Sequence, residues 1–245
     1  MLFISEIWKI RNSLIALLII TQFTLSCGQE EPKSARSVQK THAADSIKII
    51  KKIWFTDAQL KMTKAYCKKH YGIERITLKK PKMIVVHYTA VPSLEETLQI
   101  FQKDSLSTNR KYIANFSALN VGVHYIVDKD GTIYQTKPDT IIARHIIGFN
   151  HVALGIENVA LNEQDITSAQ LKSNVELIRY LLQKKPGINY LIGHHEYNNK
   201  ELPHYKLIKI KDPSYAPYKK PDPGNKFMSK LRKKLAQNHG IKLKK

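Results

Sequence analysis

Two histidines each close a short apolar run: His87 follows Met83-Ile84-Val85-Val86, and His194 follows Tyr190-Leu191-Ile192-Gly193. Apolar runs of this length, bounded by turn residues, read as buried strands. A strand end is a rigid place from which to present an imidazole into a cleft. A third polar candidate, Asp222, stands in Lys220-Pro221-Asp222-Pro223-Gly224, where two prolines stiffen the loop. Two neutral imidazoles and one carboxylate form a common hydrolytic zinc shell that leaves a fourth position open to water. Zinc at such a position lowers the pKa of water to about 7 and polarises the bond under attack. Each residue alone says little, and it is the set that points to a metal. His195 competes with His194, but adjacent strand residues face opposite ways, so only one of the two reaches a common centre. Asp212 competes with Asp222, yet it has no glycine after it and carries Ile210 two places before it.

The elements that must position these groups can be outlined from capping and periodicity. Thr56-Asp57-Ala58-Gln59 reads as a capping box opening a helix to about His70, stopped by Gly72, with Leu60, Ala65, Tyr66 and Cys67 on one face. Ser93-Leu94-Glu95-Glu96 opens a second helix to about Ser105. Strands over 121–127 and 132–136 flank Asp128-Lys129-Asp130-Gly131, a hairpin signal, and 152–159 reads as another strand. Thr167-Ser168-Ala169-Gln170 caps a longer helix with Leu171, Val175, Ile178 and Leu182 at helical spacing, ending at Pro186-Gly187. Asn225 is placed as the cap of a last helix to about His239. The fold class that follows is α/β, a central mixed β-sheet flanked by helices.

The 245 residues are 42% apolar, which fits one domain with extensions at roughly 150 residues per domain and excludes a wholly disordered chain. Two cysteines, Cys27 and Cys67, exclude a disulfide scaffold and show no paired zinc-finger spacing. Forty Lys and Arg against 20 Asp and Glu leave a formal charge of +20, so the partner or the neighbouring surface is anionic. Lys9 and Arg11 precede an apolar stretch from Leu14 to Leu25 that is shorter than a membrane span. Phe23-Thr24-Leu25-Ser26-Cys27-Gly28 resembles a bacterial lipoprotein cleavage box, with Thr24 where leucine is usual. The expected organisation is a signal peptide at 1–26, a tether at 27–50 behind a lipidated Cys27, a catalytic domain at 51–240 and a basic tail at 241–245. Ordinary secretion and an uncleaved anchor are the competing readings of the same segment. Cys67 reads as a buried thiol. No acidic residue follows Asp222, and the basic last helix is either a solvated face or attracted to an anionic envelope surface.

Five segments in order carry a more specific resemblance: His87-Tyr88-Thr89-Ala90, the stretch from Val123 to Gln135, Ala153-Leu154-Gly155-Ile156-Glu157, Ile192-Gly193-His194-His195-Glu196, and Lys220-Pro221-Asp222-Pro223-Gly224. Over roughly residues 80–230 the chain resembles the zinc-dependent N-acetylmuramoyl-L-alanine amidases, the superfamily of peptidoglycan recognition proteins and a phage lysozyme-amidase. The resemblance implies one Zn²⁺ held by His87, His194 and Asp222, with Glu157 as the catalytic acid–base and Lys220 as oxyanion stabiliser. It also places the ligand directly after the glycine, favouring His194 over His195. The bond cut would be the amide between N-acetylmuramic acid and L-alanine in peptidoglycan or muropeptides.

Around that set, Tyr88 and Thr89 are expected to line the site, together with Asn158. Arg144 and His145 either hold the substrate's peptide or sugar or make structural hydrogen bonds. His124 is expected in the core or behind a ligand, while His42, His70, His204 and His239 are read as surface residues. The separation of 28 positions from His194 to Asp222 exceeds that in the family's compact members, so a loop from Asn198 to Lys219 should border the cleft. The alternative reading is a non-catalytic peptidoglycan-binding module. Specific nucleic-acid binding is not expected, since no helix-turn-helix, zinc-finger or RNA-binding signature is present. The expected state is a monomer in the bacterial cell envelope, held to the membrane by a lipid anchor.

Overall fold

The computed structural model describes residues 47–245. The expected signal peptide, Cys27, His42 and the expected tether up to residue 46 lie outside the described residues. The elements in order are β1 (Ile49–Lys51), α1 (Asp57–Tyr71), β2 (Met83–Tyr88), α2 (Leu94–Phe101), α3 (Lys111–Ala114), β3 (Tyr125–Val127), β4 (Ile133–Gln135), β5 (Ala153–Asn158), α4 (Ser168–Lys184), β6 (Tyr190–Gly193) and α5 (Asn225–His239). The strands form one mixed sheet in the order β1-β4-β3-β5-β2-β6, antiparallel only at the β3–β4 hairpin. In that hairpin Gly131 adopts φ +90, and a Cβ there would approach Ser173 Oγ to 2.8 Å, so the turn needs glycine.

Parallel central strands are covered on both faces and therefore read as unbroken apolar runs. That is why Met83-Ile84-Val85-Val86 lacks alternation, and all four side chains are fully buried. Register places Val86 beside Gly193 and His87 beside Glu157. The sheet thus delivers three functional side chains to one place, the carboxyl ends of β2, β5 and β6. Helices α4 and α5 pack on each other, with α4 against β3 and α5 against β6.

The Thr167 capping box is present in full, with reciprocal bonds between Thr167 and Gln170. Gly72, in the left-handed conformation, ends α1 as expected. Thr56 does cap α1, but the side chain of Gln59 reaches Lys103 O and Lys137 Nζ, so the box is not reciprocal. The buried stripe of α1 is Gln59, Thr63, Tyr66, Cys67, His70 and Tyr71, whereas Leu60 is 39% exposed. Half of that stripe is polar and finds its own partners: Gln59 meets Lys137 Nζ, Thr63 donates to Gln59 O within the helix, and His70 Nε2 meets Phe116 O.

Several boundaries differ from expectation. Strand β1 starts at Ile49, inside the segment assigned to the tether, because residues 49–51 pair in parallel with β4. The tail assigned to 241–245 is tied into the fold: Leu191 N donates to Lys244 O, and Lys245 meets Glu196 at 3.2 Å. Helix α2 stops at Phe101, and only Tyr125–Val127 of the expected 121–127 strand joins the sheet. Helix α5 begins as expected, but Asn225 does not cap it. Its amide at Phe227 donates instead to Glu163 Oε1 at 2.8 Å, a carboxylate well placed for a helix amino terminus. His70 and His204, read as surface residues, are buried: His70 against the rings of Tyr66 and Tyr215, His204 with Nε2 on Tyr197 O. Burial lowers both pKa values, and each ring is held through Nε2 alone, on Phe116 O and Tyr197 O, with Nδ1 buried and unpartnered among the described residues.

Candidate metal centre

His87 is the penultimate residue of β2, and its backbone carbonyl accepts from Asn158 Nδ2 at 3.1 Å. Asn158 Oδ1 in turn accepts from Asn174 Nδ2 at 2.7 Å, which ties the strand end to α4. His194 opens a 3₁₀ turn, His194–Glu196, directly after β6. Glu196 Oε2 accepts from Gly193 N at 2.8 Å and also pairs with Arg232 on α5, so the turn is clamped from below. Asp222 is fixed through its carbonyl, which accepts from His195 N at 2.7 Å.

His87 Nδ1, His194 Nδ1 and Asp222 Oδ2 form a triangle with every edge 3.0 Å. All three residues are buried. Neighbouring atoms of a tetrahedral zinc shell, with metal–ligand distances of about 2.0–2.2 Å, are ~3.3 Å apart, close to the edges seen here. Three atoms able to offer lone pairs converge at one point. A cation satisfies that arrangement, and the N, N, O donor set suits Zn²⁺. Among the described residues this is the group with the makings of a metal site. His195 turns away, with Nε2 on Asn225 Oδ1 at 2.8 Å, and Asp212 bonds locally to Ser214.

The electrostatics divide the carboxylates. Burial pushes His194 down to about 4, so its imidazole is neutral at pH 7. Burial alone would raise Asp222, but His194 and His87 beside it hold it below the ordinary carboxylate range. Glu157 is the opposite case. Burial raises its pKa well above the ordinary value, and the Asp222 charge adds to the rise. Its Oε2 is buried without a hydrogen-bond partner among the described residues, an orphan that calls for a functional explanation. The positive charges of Arg110 and Lys220 pull the other way.

These groups open onto a cleft of about 240 Å³, lined by His87, Tyr88, Glu157, Arg110, Tyr218 and Lys220 among others. Lys220 Nζ lies 4.4 Å from the centre of the Tyr218 ring. The long loop does border the cleft, through Tyr215 and Tyr218, and Tyr112 OH on α3 braces it by donating to Ala216 O at 3.1 Å.

A family model described as N-acetylmuramoyl-L-alanine amidase matches residues 77–225, more than half of the chain. The chain belongs to that amidase family. The matched stretch contains His87, Glu157, His194, Lys220 and Asp222. The endolysin of Escherichia phage T7 is 32% identical over 95 residues, covering 36% of this chain and 62% of the phage protein. Peptidoglycan recognition protein 3 of Mus musculus is 28% identical over 132 residues, 53% of this chain and 38% of that protein. The chain thus spans under two thirds of these relatives. Among solved structures, the N-acetylmuramoyl-L-alanine amidase LysC from Clostridium intestinale aligns at TM-score 0.45 and 22% identity, covering 78% of this chain and 98% of LysC.

Within this amidase domain the surrounding residues divide by what they touch. Tyr88 faces the cleft. Thr89 borders it too, but its hydroxyl donates to Val91 O and accepts from Ala160 N, which holds the loop after β2. Arg144 settles on the structural of its two readings. Its guanidinium donates to Ser117 O, Leu119 O, Ile113 O and Tyr215 OH, leaving no donor for a substrate. Asn158, expected at the substrate, is fully buried and holds the His87 backbone. His124 lies in the core, accepting from Gly155 N through Nδ1. Arg110 was not signalled: it sits in the polar, aperiodic stretch Ser107-Thr108-Asn109-Arg110, and only the fold carries it to the cleft.

Proposed function

We propose that the chain is a zinc-dependent amidase that hydrolyses the amide between N-acetylmuramic acid and L-alanine in peptidoglycan or muropeptides. The observation that carries this reading is the buried His87–His194–Asp222 triangle beside the unpartnered carboxylate of Glu157. Zinc, when bound, would polarise the scissile carbonyl and acidify the attacking water. His87, His194 and Asp222 would hold it. Glu157, with its raised pKa, accepts the proton the water gives up as the C–O bond forms, and returns it to the amide nitrogen as the C–N bond breaks. Lys220 supplies positive charge for the carbonyl oxygen as it becomes negative. The products are the lactyl carboxylate of the sugar and the free amine of the peptide.

The test is mass spectrometry of purified muropeptides incubated with the full chain, zinc-loaded and then chelated. Separate sugar and an L-alanine-ended peptide, formed only with metal, are the expected products. Intact but bound muropeptide with zinc in place would make the domain a recognition module, and cleavage that survives chelation would remove the metal from the mechanism.

We further propose that Cys27 is lipidated and anchors the enzyme in the cell envelope, from the cleavage-box resemblance and the polar stretch that follows. The mature amino terminus should then carry acyl mass on Cys27. A chain retaining residues 1–26, or beginning with an unmodified residue, would refute it.

A further inference from the structure

We propose that His145 is a positioning residue that fixes the tautomer and ring orientation of His87, and so sets the metal affinity of the centre. The inference rests on reading the His87–His194–Asp222 triangle as a zinc site. His145 lies behind His87, with His87 Nε2 3.0 Å from His145 Nδ1 and the two rings 84° apart. On its far side His145 Nε2 faces the carbonyl of Ala153 at 3.5 Å.

The carbonyl decides the direction of the chain, because it can only accept. His145 must carry its proton on Nε2, toward Ala153, which leaves Nδ1 bare. His87 must then donate from Nε2 to that bare nitrogen, and its own Nδ1 faces the centre as a lone pair, the form a metal binds. The reverse direction would set His145 Nε2 bare against an oxygen and point a proton from His87 Nδ1 into the triangle. An imidazole whose outer N–H is held this way is both oriented and more basic as a ligand.

The surroundings leave His145 little room to turn. A Cβ on Gly155 would come within 2.8 Å of His145 Nδ1, so that position of β5 accommodates the ring only as glycine. The His124 ring packs edge-on at 5.9 Å and is itself held by Gly155 N and Ile141 O. The backbone amides of His145 and Ile146 both donate to Asn150 Oδ1, at 2.9 and 2.8 Å. Asn150 Nδ2 donates to the hydroxyls of Tyr66 and Tyr71, each at 3.0 Å, which anchors the segment to α1. His145 also borders the cleft, but both of its ring nitrogens are engaged, Nδ1 by His87 and Nε2 by Ala153 O.

The experiment measures zinc affinity by competition with a chelator of known strength, and thermal midpoints of the metal-free and zinc-loaded full chain. His145→Leu removes the acceptor at similar bulk and should weaken zinc binding about 10–100-fold, with a smaller zinc-induced rise in midpoint. His145→Asn can place Oδ1 where Nδ1 stood and should stay near wild type. Should the leucine variant fail to fold metal-free, His145→Phe carries the same comparison. Unchanged affinity in the apolar variants, or equal loss in Leu and Asn, overturns the proposal. A wild-type chain that does not bind zinc, or binds it equally after His87→Ala, defeats the metal-site reading itself and is distinguished by that control.

Discussion

Glu157→Gln lowers the rate of amide cleavage by about 10²–10⁴-fold, the usual contribution of a positioned acid–base, and raises the thermal midpoint of the metal-free chain. Both effects have one cause. Glu157 is buried on β5 next to His87, its Oε2 has no partner, and burial together with the Asp222 charge raises its pKa well above the ordinary value. A folded-state pKa above the unfolded one means that the stability linked to this group is complete below the unfolded pKa, near 4.3. It is lost as pH rises through the folded pKa. Above the unfolded pKa the unfolded chain gains by ionising this group while burial opposes its ionisation in the folded one, so the carboxyl opposes folding, and glutamine removes that opposition while keeping the shape. A gain of about 0.5–2 kcal/mol fits the usual exchange of stability for function. Differential scanning from pH 4 to 8 should show wild-type and variant midpoints separating as pH rises. An inactive variant that is also less stable at every pH would mean that Glu157 is a structural carboxylate.

How much of this was legible in the sequence depends on the range of each signal. Thr167 and Gln170 satisfy each other within one turn, so the start of α4 could be read directly. His87, His194 and Asp222 stand in short distinctive segments, and the resemblance carried them to one site although 107 and 28 residues separate them. Strand β1 was missed because its partner β4 lies far along the chain, and Ile49-Ile50-Lys51 alone is too short to declare itself. The face of α1 was half wrong because burial there follows hydrogen bonds to Lys137, Asn150 and Phe116, not apolar periodicity. Arg144 illustrates the same limit: which donors of a guanidinium are already engaged is a tertiary fact, and no local pattern states it.

The two carboxylates of this pocket are pushed in opposite directions, and that separation assigns their roles. Asp222, drawn down by His194 and His87, stays ionised and binds, while Glu157, pushed up, is poised to move a proton. Asp222→Asn, which keeps the shape and removes the charge, should therefore differ from Glu157→Gln in every readout except activity. Cleavage should fall by about 10³-fold or more, since polarisation by the metal is worth several kcal/mol at 1.36 kcal/mol per tenfold. Zinc retention should fall with it, whereas Glu157→Gln should keep its zinc. The pH dependence should also reverse. A depressed folded-state pKa gives stability that is present above the unfolded value, near 3.9, and lost as pH falls through the folded one. The metal-free wild type should thus be more stable than Asp222→Asn at pH 7, and the gap should close in acid. Chelation of the wild type should reproduce the activity loss and be reversed by stoichiometric zinc, which should not rescue the variant. Full activity of Asp222→Asn at stoichiometric zinc would take Asp222 out of the centre and return the third ligand position to an open question between this loop and the rest of the cleft.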